Sequence, residues 1–135
     1  MRIIRRLGFG AVVALAVVAG GCFLIPNNPP IAEFEARFNT DPDPLIVVLD
    51  ASASVDEDPL DEIAAYQWTF GEDVTILDPL EFSTTLTQPT ISVRYPIEGE
   101  YTVTLVVWSG EGDRLKSGLT SQTFPLPNPQ TAPTE

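Results

Sequence analysis

Residues 95–108 read YPIEGEYTVTLVVW, and this stretch decides the fold class of the chain. From residue 101 onward its side chains alternate with a period of two, which is the period of a β-strand that buries one face. The inward face carries Tyr101, Val103, Leu105 and Val107. The outward face carries Thr102, Thr104, Val106 and Trp108. The stretch therefore predicts a long strand with one face in a hydrophobic core.

Similar short runs occur further along the chain on both sides of this strand. They are EFEARF at 33–38, LIVVL at 45–49, AAYQWTF at 64–70, TISVRY at 90–95 and a last run near 119–124. Gly, Pro, Asp and Ser separate them, as turn residues separate short strands. LIVVL is apolar on both faces, which predicts a central strand. About seven strands in about 95 residues predict an all-β sandwich with Greek-key connections.

Four residues are interpreted as parts of this framework rather than as chemical groups. Trp68 lies in the middle of a strand and is predicted to fill the space between the two sheets. Tyr101 follows the turn at 98–100, where sandwiches place a tyrosine whose hydroxyl bonds back to the backbone. Gly71 and Gly99 are predicted to supply positive φ angles at turns.

The N-terminus differs from the rest of the chain in composition. Three arginines precede an uncharged run at 7–19, and small residues at 20 and 21 come directly before Cys22, the only cysteine. This layout is typical of a secretory signal peptide with a cleavage site. The alternative is an uncleaved anchor, because the uncharged stretch at 7–25 approaches the roughly 20 residues that a spanning helix needs. The glycines in it favour cleavage, since each weakens a helix by about 1 kcal/mol relative to alanine.

The sequence VAGGC at 18–22 resembles a bacterial lipobox. The resemblance implies that diacylglycerol alkylates the Cys22 thiol, that the chain is cut before Cys22 and that the new amino group is open to acylation. Phe23 is not the aspartate that retains many lipoproteins at the inner membrane of double-membraned bacteria. We therefore expect a lipoprotein facing away from the cytoplasm, with the lipid bilayer as its partner through Cys22. The outer membrane is favoured where the organism has one.

The predicted domain organisation follows from these features. Residues 1–21 are a signal peptide, 22–30 a lipidated cysteine with a Pro-rich tether, 31–124 the β-sandwich and 125–135 a Pro-rich tail. Prolines at both edges favour extended chain there.

The residue inventory excludes several functions. Beyond Cys22 there are 19 acidic residues against four basic ones, a net charge of −15. Such a surface repels nucleic acid. The chain has no histidine, and lipidation of Cys22 leaves no thiol, so disulfides, Ser-His-Asp and Cys-His nucleophiles and ordinary zinc sites are excluded. We predict a non-catalytic protein, either a module that binds an envelope protein or a polysaccharide, or a structural spacer without a specific ligand.

Four blocks of sequence resemble the polycystic kidney disease (PKD) domain. They are NNPPIAEFEA at 27–36, DASASVDED at 50–58, YQWTFGED at 66–73 and YPIEGEYTVTLVVW at 95–108, in the order in which the family has them. The resemblance implies an immunoglobulin-like β-sandwich of the kind found in extracellular proteins, often beside enzymes that act on polymers. The segment at 74–90 is longer than in typical members.

An acidic loop follows the strand at 45–49. Asp50, Asp56, Asp58 and Asp61 are candidate calcium ligands, because Ca²⁺ takes six to eight oxygen ligands. The alternative is that these side chains cap turns by accepting hydrogen bonds from backbone N–H groups, which short aspartates do readily. No other cofactor is predicted.

Trp108 and Val106 share the outward face of the long strand and form a candidate contact surface. An exposed aromatic ring suits a sugar ring or a partner protein. The alternative is that Trp108 packs beneath the long segment at 74–90.

Overall fold

The computed structural model describes residues 26–80 and 86–129. In this part the chain forms seven β-strands: β1 (Glu35–Phe38), β2 (Ile46–Asp50), β3 (Ile63–Thr69), β4 (Thr75–Asp78), β5 (Thr90–Arg94), β6 (Gly99–Ser109) and β7 (Lys116–Leu126). A 3₁₀ turn, Gly112–Arg114, precedes β7. None of the described residues belongs to a helix long and apolar enough to cross a bilayer.

The strands form two antiparallel sheets. One has the order β1-β2-β5-β4 and the other the order β3-β6-β7. β2 lies between β1 and β5, as its two apolar faces predicted, and β6 is the central strand of the second sheet. The prediction of an all-β, immunoglobulin-like sandwich of about seven strands is confirmed.

The core consists of the inward side chains of both sheets, which the period-two alternation selects. In β6, Val103, Leu105 and Val107 are fully buried, as predicted. Trp68 of β3 is 7% exposed, and its ring meets the ring of Phe34 edge-on at a centroid distance of 5.2 Å. Trp68 therefore fills the space between the sheets, which confirms its predicted role.

Two features of the strand boundaries correct the predictions. β7 runs through Leu126, which is 3% exposed, so the Pro-rich tail begins after that residue and not at 125. The strand continues because Phe124 and Leu126 are successive inward positions of one alternation. β4 lies inside the long segment at 74–90 and pairs with β5, although alternation did not indicate a strand there.

The turns confirm the prediction for Tyr101 and correct the prediction for Gly71. The hydroxyl of Tyr101 donates to the carbonyl oxygen of Ile97 at 2.7 Å, which is the predicted tyrosine corner. The prediction for Gly71 is wrong, because Asp73 and not Gly71 has the positive φ in that turn, at 60°. Aspartate tolerates the left-handed conformation better than most residues. Gly99 has a φ of 159°, at the limit of extended backbone.

The sandwich has two ends that carry different loops. At the upper end lie the loops 51–62 and 110–115, which the Arg114–Asp61 ion pair joins. At the lower end lie the loops 39–45, 70–74 and 95–98, where the rings of Tyr95 and Tyr101 are 4.1 Å apart. β6 runs from the lower end to the upper end, a height of about 33 Å at roughly 3.3 Å per residue.

Residues 26–34, here called the N-terminal strap, run parallel to β7 and the turn before it. Three of the contacts that hold the strap join residues that are 88 positions apart in the sequence. Arg114 Nη2 donates to the carbonyl oxygen of Pro26 at 2.8 Å, Gln122 Nε2 donates to that of Phe34 at 2.5 Å, and the Pro30 carbonyl packs directly on Gly118. The tether predicted at 22–30 is therefore packed on the domain from residue 26 onward.

Candidate functional site

Trp108 lies on the outward face of the β3-β6-β7 sheet, where alternation placed it. Its side chain is half-buried, and its neighbours in the adjacent strands are Ala65 on β3 and Ser117 on β7. A β-bulge between Ile63 and Ala65 brings a second alanine, Ala64, beside this row. Because the flanking side chains are small, the indole is the largest group in its row. We call Trp108, Ala65 and Ser117 the aromatic shelf.

The same face continues toward the lower end with aliphatic and hydroxyl groups. Val106 lies opposite Leu119, and Leu119 is 68% exposed. Two hydroxyl pairs follow, Thr104–Ser121 and Thr102–Thr123, each with an oxygen–oxygen distance of 2.8 Å. The outward face therefore combines one aromatic ring, two aliphatic side chains and a row of hydroxyls.

A groove of about 490 Å³ opens at the upper end beside the aromatic shelf. Ala64, which precedes Ala65, and Gly110, which follows Trp108 by two residues, both line it. The charged groups that line the groove are Asp61, Glu62, Glu111 and Arg114, and its apolar walls include Pro59, Leu60 and Ile63. The shelf and the groove therefore share the upper ends of β3 and β6, with the groove formed by the residues next to Ala65 and Trp108 in the sequence.

The structure brings three of the four candidate calcium ligands together. Carboxylate oxygens of Asp56, Asp58 and Asp61 all lie within 4.8 Å of one another. Asp50 is not part of this group, and its carboxylate accepts hydrogen bonds from Ser52 and from Arg37.

Side chains of this protein already contact the three grouped carboxylates. Arg114 donates to both oxygens of Asp61 at 2.7 and 3.1 Å, and these hydrogen bonds hold the pKa of Asp61 below its ordinary value. The backbone and side-chain nitrogens of Asn28 in the strap donate to Asp58 at 2.5 and 3.0 Å. The hydroxyl of Ser109 donates to Asp56. The cluster therefore fastens the strap to the upper end, and calcium binding at it stays a prediction.

All four basic residues beyond Cys22 are engaged in ion pairs. Arg37 pairs with Glu35 and Asp50, Arg94 with Asp43, Arg114 with Asp61, and Lys116 lies 4.0 Å from Asp58. The Arg94 hydrogen bond also lowers the pKa of Asp43. Each basic side chain in this part of the chain therefore has a carboxylate within 4.0 Å, and the buried Nζ of Lys116 makes an ion pair with Asp58 without a hydrogen bond.

In the described part of the 74–90 segment, the backbone pairs with β5 and with Tyr66 of β3 rather than with Trp108. Thr75–Asp78 pairs with β5 in the opposite sheet, and Leu86 forms a bridge with Tyr66 at the edge of β3. Residues 81–85 of this segment lie outside the described part. The signal peptide and Cys22 lie outside it as well, so lipidation stays a prediction.

Sequence reasoning identified Trp108 and Val106 but not the groove. Ala65, Ser117 and Leu119 join the surface only through the pairing of β6 with β3 and β7, and that register is not visible in a single strand. Glu62 and Glu111 come from two loops that are about 50 residues apart. The sequence feature that came nearest to indicating the groove was the acidic loop at 50–61, because Asp61 at its end lines the groove.

The fold defines an immunoglobulin-like β-sandwich module. A model of the PKD domain family matches residues 27–123, and the chain belongs to that family. The ordered sequence blocks had indicated the same family. No curated protein matches the chain.

The solved structures that are similar to this chain include two PKD1 domains and a structure of carbohydrate-binding modules. The PKD1 domain of Vibrio anguillarum Epp is 27% identical with a TM-score of 0.54, and the alignment covers 77% of this chain and 100% of that one. The PKD1 domain of the Vibrio cholerae metalloprotease PrtV is 28% identical with a TM-score of 0.51, covering 73% and 96%. A structure described as carbohydrate-binding modules from the β-sandwich superfamily is 33% identical with a TM-score of 0.52, covering 73% of this chain and 34% of that one.

Proposed function

We propose that this protein is a non-catalytic carbohydrate-binding module, held on the outer face of an envelope membrane by a lipid on Cys22. The observation that carries the proposal is the aromatic shelf beside the charged groove. The C–H faces of a sugar ring pack on an indole, and its hydroxyls hydrogen-bond to carboxylates and hydroxyl side chains. A polysaccharide chain needs a binding surface that is open along one face of the domain, and the outward face of the β3-β6-β7 sheet is such a surface.

The similarity to a structure described as carbohydrate-binding modules supports the choice of ligand class. That alignment covers 34% of the other chain, so the similarity supports the class and not a particular sugar. The chain has no histidine for the common nucleophile systems, which supports the non-catalytic part of the proposal.

Replacement of Trp108 with alanine is expected to weaken polysaccharide binding at least tenfold, roughly the effect of removing a central aromatic contact. The measurement is a pull-down of the full-length protein, in detergent, on a panel of insoluble polysaccharides, followed by titration with soluble oligosaccharides. A melting curve of each variant verifies that it is folded.

Ile97→Ala is the control. It also truncates an apolar side chain at the surface, because Ile97 is 68% exposed, but this residue lies at the lower end, away from Trp108. Its affinity is expected to equal that of the unchanged protein. Binding to no polysaccharide, or the same affinity after Trp108→Ala, would contradict the proposed function.

The lipid anchor has a test of its own. Mass spectrometry of the N-terminal peptide from the membrane fraction is expected to show a chain that begins at Cys22 and carries a diacylglycerol thioether. Cys22→Ala is expected to abolish both the cleavage and the added mass. A chain that still contains residues 1–21 would show an uncleaved anchor instead.

The alternative function is a spacer, and one observation favours it. The strap enters the sandwich at the upper end, whereas β7 finishes at the lower end, so the chain crosses the whole height of about 33 Å. A domain arranged in this way holds the chain before the strap and the chain after β7 at opposite ends of the sandwich. A protein that is anchored but binds no glycan would fit this function.

A further inference from the structure

The charge at the shelf and groove restricts the glycan that they accept. Arg114, the basic residue that lines the groove, is paired with Asp61. Glu62 and Glu111 line the same groove, both are exposed, and neither forms an ion pair among the described residues. The groove therefore carries a net negative charge, with three carboxylates against the one guanidinium of Arg114.

This charge disfavours acidic polysaccharides. A uronate or sulfate group in the groove would lie near two unpaired carboxylates, and each basic residue of the domain is already engaged by an aspartate. The net charge of −15 beyond Cys22 adds a long-range repulsion of the same sign.

We infer that the ligand is a polysaccharide of amino sugars with free, protonated amino groups. This inference rests on the proposed carbohydrate-binding function and names the class of glycan. An ammonium group on a sugar stacked at Trp108 gains from the indole face, which attracts cations. Ammonium groups of other sugars along the same chain, in the groove, donate charge-assisted hydrogen bonds to Glu62 or Glu111. An N-acetylated sugar keeps the stacking contact but lacks the charge.

A basic peptide presents similar cations, but the surface favours a glycan. The shelf continues into the flat row of Val106, Leu119 and the paired hydroxyls along β6 and β7, which offers hydrogen-bond partners to a chain of sugar hydroxyls. The similarity to carbohydrate-binding modules points the same way. Oligolysine is therefore included in the test as the competing ligand.

The test compares two soluble oligosaccharides of equal length and backbone, one of glucosamine and one of N-acetylglucosamine. Affinities are measured by calorimetry on the full-length protein in detergent, at a mildly acidic pH where the sugar amines are protonated. The glucosamine oligomer is expected to bind about tenfold more tightly at low salt, and the preference is expected to shrink as salt is added.

Two double variants separate local charge from net charge. Glu62→Gln with Glu111→Gln is expected to remove the preference for the glucosamine oligomer. Glu72→Gln with Glu98→Gln changes the net charge equally at exposed sites of the lower end, and it is expected to retain the preference. Trp108→Ala is expected to weaken both oligomers.

The outcomes distinguish the inference from the proposed function. If both oligomers bind equally, and only Trp108→Ala weakens them, the inference is overturned and the proposed function stands. If neither oligomer nor any other polysaccharide binds, both fail. If oligolysine binds as tightly as the glucosamine oligomer and Trp108→Ala has no effect on either, the binding is non-specific attraction and the inference is overturned.

Discussion

Replacement of Trp68 with alanine is expected to lower the free energy of unfolding by about 3–5 kcal/mol, the usual cost of removing a buried Trp or Phe side chain. Trp68 is 7% exposed, lies in the middle of β3 opposite Leu105, and packs edge-on against Phe34, the last residue of the strap before β1. The alanine variant loses this contact and leaves a cavity between the sheets. Small domains are stable by about 5–15 kcal/mol, so this loss brings the protein close to unfolding.

Urea denaturation of the full-length protein measures the effect, and two variants control it. Trp68→Phe is expected to cost less, because it keeps an aromatic ring and because the indole Nε1 has no hydrogen-bond partner to lose. Trp108→Ala removes the same side chain from a half-buried position and is expected to cost less than Trp68→Ala. A loss below about 1 kcal/mol for Trp68→Ala would show that this tryptophan does not support the core.

The central strands were predictable because burial selects their pattern directly. Val103, Leu105 and Val107 occupy every second position of one long strand, and Val47 and Leu49 lie in a run that is apolar on both faces. All five are fully buried. Period-two alternation is a local property of the chain, so a single sequence displays it.

The edges were less predictable because their structure depends on partners that are distant in sequence. β4 has four residues and two of them, Ile76 and Leu77, are half-buried, so no clear alternation marks it. The strap contains three prolines and reads as a free tether, yet it is held by residues 88 positions away. Such contacts follow from the sheet arrangement and not from local pattern.

In the candidate site, too, the features set by local pattern were predicted and those set by partners distant in sequence were not. Trp108 and Val106 were predicted to lie outward because alternation alone determines the face of a strand. The small neighbours Ala65 and Ser117 depend on strand register and on a β-bulge. The acidic loop was recognised as a cluster, but its pairing with Arg114 and with Asn28 required the upper end to be assembled.

The strap provides the second prediction with a large expected effect. A Cβ at Gly118 would overlap the carbonyl oxygen of Pro30 and lie 3.0 Å from its carbonyl carbon. These are backbone atoms, so no side-chain rotation relieves the overlap, and the strap has to move. Gly118→Ala is therefore expected to destabilise the domain by about 1–3 kcal/mol, which is typical of overpacking.

Gly71→Ala is the matched control, because it adds the same Cβ at a position where no steric overlap results. Both substitutions reduce the freedom of the unfolded chain, which by itself stabilises a protein by about 0.4–1 kcal/mol. A Cβ at Gly71 would lie 3.6 Å from the Tyr101 ring, an ordinary contact, so this variant is expected to be as stable as the unchanged protein or slightly more stable. Hydrogen exchange of the strap amides is expected to accelerate in Gly118→Ala alone. If the two variants unfold at the same urea concentration, then the strap yields at little cost, and the hydrogen bonds of Arg114 and Gln122 contribute little to holding it on β7.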